Sequence, residues 1–345
     1  MSFGNKFTLS TGAKIPQLAL GTWLSKPGEV EATVEFAVRN NYRHLDLAMV
    51  YQNQGEVGAA LKKVIPSVVK REDLFLTSKL WNSAHQTAEV AKELDETLRQ
   101  LGTDYLDLYL IHWPVAFPPG DGLNPPHPTK ETETALDTET TLVETWKAMT
   151  ALLKSKVRAI GVCNFNIDHL QAIIAATGVV PAVNQIEIHP LLPQTELVAY
   201  CKEQGIHVTA YGTFGVNCKD IPYRDTSLPF PCRRPTWVDK PKLSTHPVVE
   251  DIAKRLNATP QQVLIAWGAY GEYSLVPKLV QEDRIITNFQ QVKLSKEDYD
   301  AISALGNGNR ARFNIPFTLA DCPSWDINIF DEPEEKPATH KVKIH

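Results

Sequence analysis

Asp46, Tyr51, Lys79 and His112 are of the types that together donate a proton to a carbonyl oxygen. A free phenol has a pKa of about 10, which makes it too weak an acid at neutral pH. An ammonium beside it favours the phenolate and lowers that value. A carboxylate keeps the ammonium charged and oriented, and an imidazole orients the carbonyl or relays the proton. Taken singly, each residue has a plainer reading. Asp46 could be a turn or N-cap residue and Lys79 a side chain reaching to solvent. His112, before Trp113-Pro114, could be a hydrogen-bonded structural histidine. The chemical reading needs all four on one surface. Other chemistries lack their parts: no hydroxyl nucleophile has an apparent base, and no carboxylate pair suggests a hydrolase. His85, His112, His169 and His189 lie on different units without Cys or Glu at ligand spacing, so no metal is expected.

The elements that must position these residues are short apolar runs alternating with amphipathic ones. Asp46 lies in the run His44 to Ala48, with Tyr51 just beyond it. Lys79 closes Leu74 to Leu80, and His112 ends Tyr105 to His112. Further strands are expected at Leu18 to Gly21, Arg158 to Val162, Ala182 to Ile188, His207 to Tyr211 and Tyr273 to Pro277. Helical periodicity fills the intervals: Glu29 to Arg39, Gly55 to Val64, Thr87 to Leu101, Leu142 to Leu153, Ile167 to Ala176 and Glu196 to Gln204. Val248 to Leu256 and Pro260 to Ala269 follow, the latter opened by Thr259-Pro260. A small hairpin, Phe7 to Ile15, precedes the first strand. About eight βα units of near-continuously apolar strands predict a (β/α)8 TIM barrel with long loops at its C-terminal face. That face would gather the four residues. A doubly wound sheet would normally show G-x-G-x-x-G after its first strand, and Leu20-Gly21-Thr22-Trp23 is not that.

Composition agrees with a folded α/β chain. It is 345 residues long, 43% hydrophobic and 22% charged, which excludes disorder throughout. Lys and Arg number 35 against 40 Asp and Glu, a net charge of −5, so no basic field invites nucleic acid. No apolar run nears the roughly 20 residues of a membrane span, and the first residues lack a signal-peptide core. Cys163, Cys201, Cys218, Cys232 and Cys322 form no CxxC pair and read as reduced, giving a cytoplasmic expectation. Three stretches break the rhythm: Pro114 to Thr141, the Pro-rich Asn217 to Thr245, and an irregular tail after Leu305. One domain is expected over 1–345, with the barrel core at about 17–305 and a C-terminal loop and tail at 306–345.

Four stretches resemble the aldo-keto reductases: Tyr42 to Tyr51, Thr77-Ser78-Lys79-Leu80-Trp81, Leu108 to Pro114, and Val183-Asn184-Gln185-Ile186-Glu187. The resemblance runs over nearly the whole chain. Ile206 to Tyr211, Trp325 to Phe330 and Glu334 to Ile344 are most similar to the fungal glycerol dehydrogenases and glyceraldehyde reductases. It implies NADPH-dependent reduction of an aldehyde or ketone, with Tyr51 as general acid, Lys79 and Asp46 as its tuning pair and His112 orienting the substrate. It places NADP(H) across the barrel mouth without a Rossmann fold. Gly21, Thr22 and Asp46 would lie at the nicotinamide ribose. Cys163, Asn164 and Gln185 would hold the carboxamide, and Tyr211 would stack on the ring. Lys278, Arg284 and Asn288 would meet the adenosine phosphate and adenine. Substrate contacts would come from Trp23, Trp81, His112, Trp113, Phe117 and Asn314. The partners implied are a small carbonyl or polyol substrate, with no nucleic acid or membrane, and a monomer is the family default.

The chain departs from the family at several points. Cys163 stands where Ser is usual, and a thiol is a weak donor. Gly212-Thr213-Phe214-Gly215 replaces the usual Ser-containing turn. Leu279 follows Lys278 where a hydroxyl would bond the 2′-phosphate. The loop through Thr245, which carries Arg224, Arg233 and Arg234, is longer than in the family. A cofactor-binding but non-catalytic module of the same fold is the alternative reading.

Overall fold

The structure is a computed structural model, and it describes residues 4–23, 25–26, 28–120, 122–215, 242–318 and 323–345. A hairpin of β1 (Lys6–Thr8) and β2 (Lys14–Pro16) comes first. Eight parallel strands follow: β3 (Leu20–Gly21), β4 (His44–Asp46), β5 (Phe75–Leu80), β6 (Leu108–Ile111), β7 (Ile160–Cys163), β8 (Val183–Glu187), β9 (His207–Tyr211) and β10 (Ser274–Val276), each bonded to the next. The sheet closes on itself. Ala19 donates its N–H to Leu275 (2.8 Å) and Gly21 to Pro277 (3.0 Å). Glycine suits that seam, because a Cβ on Gly21 would sit 3.1 Å from Val276 and 3.2 Å from the Pro277 oxygen. This is the expected (β/α)8 barrel.

The helices are α1 (Glu29–Arg39), α2 (Gln54–Val64), α3 (Thr87–Leu101), α4 (Leu142–Thr150), α5 (Ile167–Thr177), α6 (Thr195–Glu203), α7 (Pro247–Arg255), α8 (Pro260–Tyr270), α9 (Glu282–Asn288) and α10 (Lys296–Ser303). Most bury an apolar stripe against the barrel, as Val90, Leu94, Leu98 and Leu101 do on α3. Thr259 caps α8 in the expected way, its side chain accepting from the Gln262 N–H. α7 and α10 stand outside the βα alternation and are joined by the Arg255–Asp298 ion pair.

The tail is more ordered than its irregular sequence suggests. Arg310 and Arg312 both pair with Glu332. Glu335 accepts the N–H groups of Ile329, Phe330 and Glu332. β11 (Ile327–Asn328) pairs with β12 (His340–Lys341). The Lys343 and Ile344 carbonyls then accept from Leu142 and Val143, satisfying orphan N–H groups at the start of α4. Most of the expected loop Asn217 to Thr245, with Arg224, Arg233, Arg234, Cys218 and Cys232, lies outside the described residues, as does Cys322.

Candidate active site

Strand alternation decides what faces the barrel axis. On β4, His44 and Asp46 point inward, and on β5, Thr77 and Lys79 do. Deep in the barrel, His44 Nε2 meets Thr77 Oγ1 at 2.9 Å. One layer higher, Lys79 Nζ meets Asp46 Oδ1 at 2.6 Å. The opposite face of β5 turns Ser78 to the helices, where it donates to Gln54 (2.6 Å). Lys79 is fully buried and also donates to the Leu47 carbonyl (2.9 Å) and to Tyr51 Oη (3.4 Å). Tyr51 ends a single 3₁₀ turn, Met49–Tyr51, just past β4. His112 follows β6, its N–H held by the Leu80 carbonyl (3.1 Å). Its ring stands edge-on to Tyr51, centroids 5.9 Å apart. The four residues therefore share one rim.

Burial dominates the electrostatics. It works to strip the proton from Lys79, but Asp46 and Tyr51 more than offset this, and the ammonium stays above its ordinary range. Burial pushes the Tyr51 phenol up and the Lys79 charge pulls it down, with burial the larger, so the phenol stands at about 12. The sequence predicts the sign of the Lys79 effect; the net direction is the opposite, because desolvation of the phenolate is larger. Burial, with Lys79 and His85, holds His112 well below its usual value, so the imidazole is neutral.

Several of the expected cofactor residues lie beside Asp46 and His112. Thr22 Oγ1 donates to the Asp46 carbonyl (3.0 Å). Gln185 Nε2 donates to Asp46 Oδ2 (2.7 Å) and sits in register with Cys163. Asn164 takes a left-handed φ of 65°, which Asn tolerates. Its Nδ2 donates to the His112 carbonyl (2.9 Å) and the Cys163 Sγ (3.2 Å), and its Oδ1 accepts from Tyr211 Oη (2.6 Å). Lys278 lies beside Gly21 across the seam. Lys278 and Arg284 are exposed and form no ion pair among the described residues. Asn288 is buried, and its Nδ2 is enclosed without a partner among the described residues. These features fit a nicotinamide dinucleotide: a polar cradle at one end and two exposed cations at the other. Leu279 does not fit a phosphate contact, since its side chain lies in the main core cluster.

The substrate side is aromatic. Trp81 and Trp113 flank His112, at 5.3 and 6.4 Å between centroids. Phe117 is fully buried behind Trp81 and Trp325 and stiffens that wall instead of facing the cleft. Trp23 is half-buried and has no ring contact with this cluster among the described residues. Asn314 is drawn to the end of β8, where Glu187 accepts its backbone N–H (2.9 Å) and its Nδ2 (3.2 Å). Trp325, which contacts Trp81, Trp113 and Phe117, was not expected in the site. The aromatic motif Trp325 to Phe330 was its only signal, and only the folding back of the tail makes it part of the wall.

Fold and rim together define a (β/α)8 barrel with a tyrosine beside a buried lysine–aspartate pair at its mouth. Residues 17–307 match the family model described as the aldo/keto reductase family. The chain belongs to that family, whose members reduce carbonyls with NAD(P)H. It is 49% identical to "D/L-glyceraldehyde reductase" of Hypocrea jecorina, over 100% of this chain and 99% of that protein. It is 41% identical to "Glycerol 2-dehydrogenase (NADP(+))" of Saccharomyces cerevisiae, over 86% and 89%. Among solved structures, the aldose reductase of Schistosoma japonicum superposes with a TM-score of 0.81 at 35% identity, covering 95% of this chain and 99% of that one. No helix of the described residues is long and apolar enough to cross a membrane.

Proposed function

We propose that this protein reduces small hydroxylated aldehydes of the glyceraldehyde type with NADPH, and oxidises glycerol-type alcohols in reverse. The carrying observation is the buried Lys79 joined to both Asp46 and Tyr51 at the foot of an aromatic cleft. The high identity to a glyceraldehyde reductase over the full chain supports the substrate class. A bound reduced nicotinamide supplies a hydride to the carbonyl carbon. Tyr51 Oη gives its proton to the carbonyl oxygen as charge develops there. Lys79 then stabilises the phenolate left behind, and Asp46 keeps Lys79 charged and aimed. Neutral His112 donates a hydrogen bond that orients the carbonyl. Gln185 and Asn164 hold the carboxamide, Thr22 and Gly21 the ribose side, and Tyr211 one face of the ring. Lys278 and Arg284 meet the 2′-phosphate that distinguishes NADPH, and Asn288 the adenine. Trp23, Trp81 and Trp113 bound the substrate, and Asn314 at the rim meets its hydroxyl groups. The intact set favours catalysis over a purely binding role. The test is oxidation of NADPH with D- and L-glyceraldehyde, followed by absorbance of the reduced nicotinamide. Turnover with neither aldehyde would overturn the reading.

A further inference from the structure

Glu187 ends β8 and takes no part in the proposed mechanism, although Gln185, two residues before it, does. Side chains two apart on a strand share a face. Gln185 reaches Asp46 Oδ2 (2.7 Å), so that face looks to the barrel axis, and Glu187 stands one layer nearer the mouth. It lies in register with Tyr211 and is 0% exposed. A carboxylate buried to that extent is costly unless its oxygens are bonded.

Both oxygens are bonded twice. Oε1 accepts from His189 Nε2 (2.8 Å) and from the Phe313 N–H (2.8 Å). Oε2 accepts from the Asn314 N–H (2.9 Å) and from Asn314 Nδ2 (3.2 Å). A carboxylate has about four acceptor sites, so Glu187 is saturated. Burial works to protonate it, but His189, Arg312 and the Phe313 N–H more than offset this, and the carboxyl stays below its ordinary range. A second tie runs alongside. Arg312 donates to Gln194 Oε1 (3.1 Å), and Gln194 Nε2 donates to the Glu187 carbonyl (2.7 Å). Residues 312–314 belong to no helix or strand, yet they are fastened to the end of β8 at three successive positions. The carboxylate also orients an amide. It only accepts, so the Asn314 NH₂ group must face it, and Oδ1 is turned away as the acceptor that half-buried Asn314 presents. An acceptor suits a hydroxyl, which donates, and offers nothing to an alkyl chain.

We propose that Glu187 is a positioning residue for substrate choice: its carboxylate anchors residues 312–314 to β8 and fixes the Asn314 amide with Oδ1 presented to a hydroxyl of the aldehyde. The inference rests on the reading of this protein as a reductase of hydroxylated aldehydes in which Asn314 meets the hydroxyl groups. Glu187→Gln keeps the volume but replaces one oxygen by an NH₂ group. If that group takes the place of Oε1, the Phe313 N–H loses its acceptor. If it takes the place of Oε2, the Asn314 N–H loses its acceptor and the Asn314 amide must turn over. Either way the anchor is weakened without emptying the site.

D-glyceraldehyde and propionaldehyde share a three-carbon chain and differ in their hydroxyls, so the pair separates this role from a general structural one. In Glu187→Gln, kcat/KM for D-glyceraldehyde should fall about tenfold, chiefly through KM, the scale of one well-made hydrogen bond. For propionaldehyde it should change less than about threefold, and NADPH affinity should hold. Asn314→Ala should lose the same preference, and adding Glu187→Gln to it should cost D-glyceraldehyde little more, as expected of two residues acting through one contact. An unchanged preference in Glu187→Gln overturns the proposal, and so does an equal loss on both aldehydes. A measurement on the wild type needs no variant to fold. Hydrogen exchange of the full chain without cofactor should show the Phe313 and Asn314 amides protected, and exchange at the rate of an open loop overturns the anchor. A wild type that reduces neither aldehyde would overturn the function instead, and the exchange result would still decide the anchor.

Discussion

Tyr51 is held between two opposed effects. Burial drives its phenol up and the Lys79 ammonium, 3.4 Å away, pulls it back, which leaves it at about 12. The forward reaction needs a phenol that yields its proton, and the reverse reaction needs a phenolate. Tyr51→Phe removes both and should lower kcat by about 10²- to 10⁴-fold, with NADPH affinity nearly unchanged. Full activity in that variant would sink the assignment. Lys79→Met leaves the phenol but removes the downward pull. Burial then acts unopposed, so the pH profile of alcohol oxidation should move upward and activity at neutral pH should collapse. An unchanged profile would show that Lys79 does not tune Tyr51. At this scale the sequence was informative about partners but not about net acidity. Asp46, Lys79 and Tyr51 are legible as a set because strand ends converge. The depth at which they meet is a product of the closed barrel, and that depth decides the direction of the pKa.

Among the elements, those with strong local signals were legible, and those ordered by distant contacts were not. α3 runs over Thr87–Leu101, as its apolar spacing predicts, and α8 starts at its Thr259-Pro260 signal. The tail has no periodicity, and its order comes from Glu332, Glu335 and the Lys343 carbonyl reaching partners elsewhere. The segment after β10 shows the same limit. By position, Leu279 stands where the family supplies a hydroxyl. In the fold it is 4% exposed and packs in the core. Leu279→Ser should therefore lower stability by about 2–5 kcal/mol, as other large-to-small core changes do. It should not tighten NADPH selectively. Urea unfolding and cofactor titration of that variant check both halves. Arg284 is exposed, and on the proposed cofactor site it meets the phosphate, so Arg284→Ala should weaken NADPH more than NADH. Quenching of tryptophan fluorescence by each cofactor measures this, and equal losses would remove Arg284 from the phosphate site.

For the molecule as a whole, barrel closure buries polar groups that an open sheet would leave wet. His44, His169 and His207 are each pushed down to about 4, and His85 to about 3, in every case chiefly by burial. A histidine with a depressed folded value binds its proton more readily when unfolded. Its stabilisation is present above the unfolded value of about 6.5 and is lost as pH falls toward the folded value. Glu93 runs the other way: burial raises it to about 8, so its share falls as pH rises and offsets one histidine. Carboxyls held below their ordinary range, such as Glu332 and Asp298, are lost only in more acid solution. His112 is held well below its usual value by the same cause, so between pH about 6 and 5 the net of four histidines should dominate. Each contributes about 1.4 kcal/mol per pH unit, so stability should fall by about 5 kcal/mol per unit. That is a large part of the roughly 5–15 kcal/mol of a typical domain, so most of the acid loss of stability should come before the carboxylates titrate. Urea midpoints measured across this range give the slope directly. His207→Gln, which keeps a polar group near Ser274, should reduce the slope by about one histidine's share. A flat midpoint from pH about 6 to 5 would mean that these histidines are already protonated, or are wet, in the folded barrel.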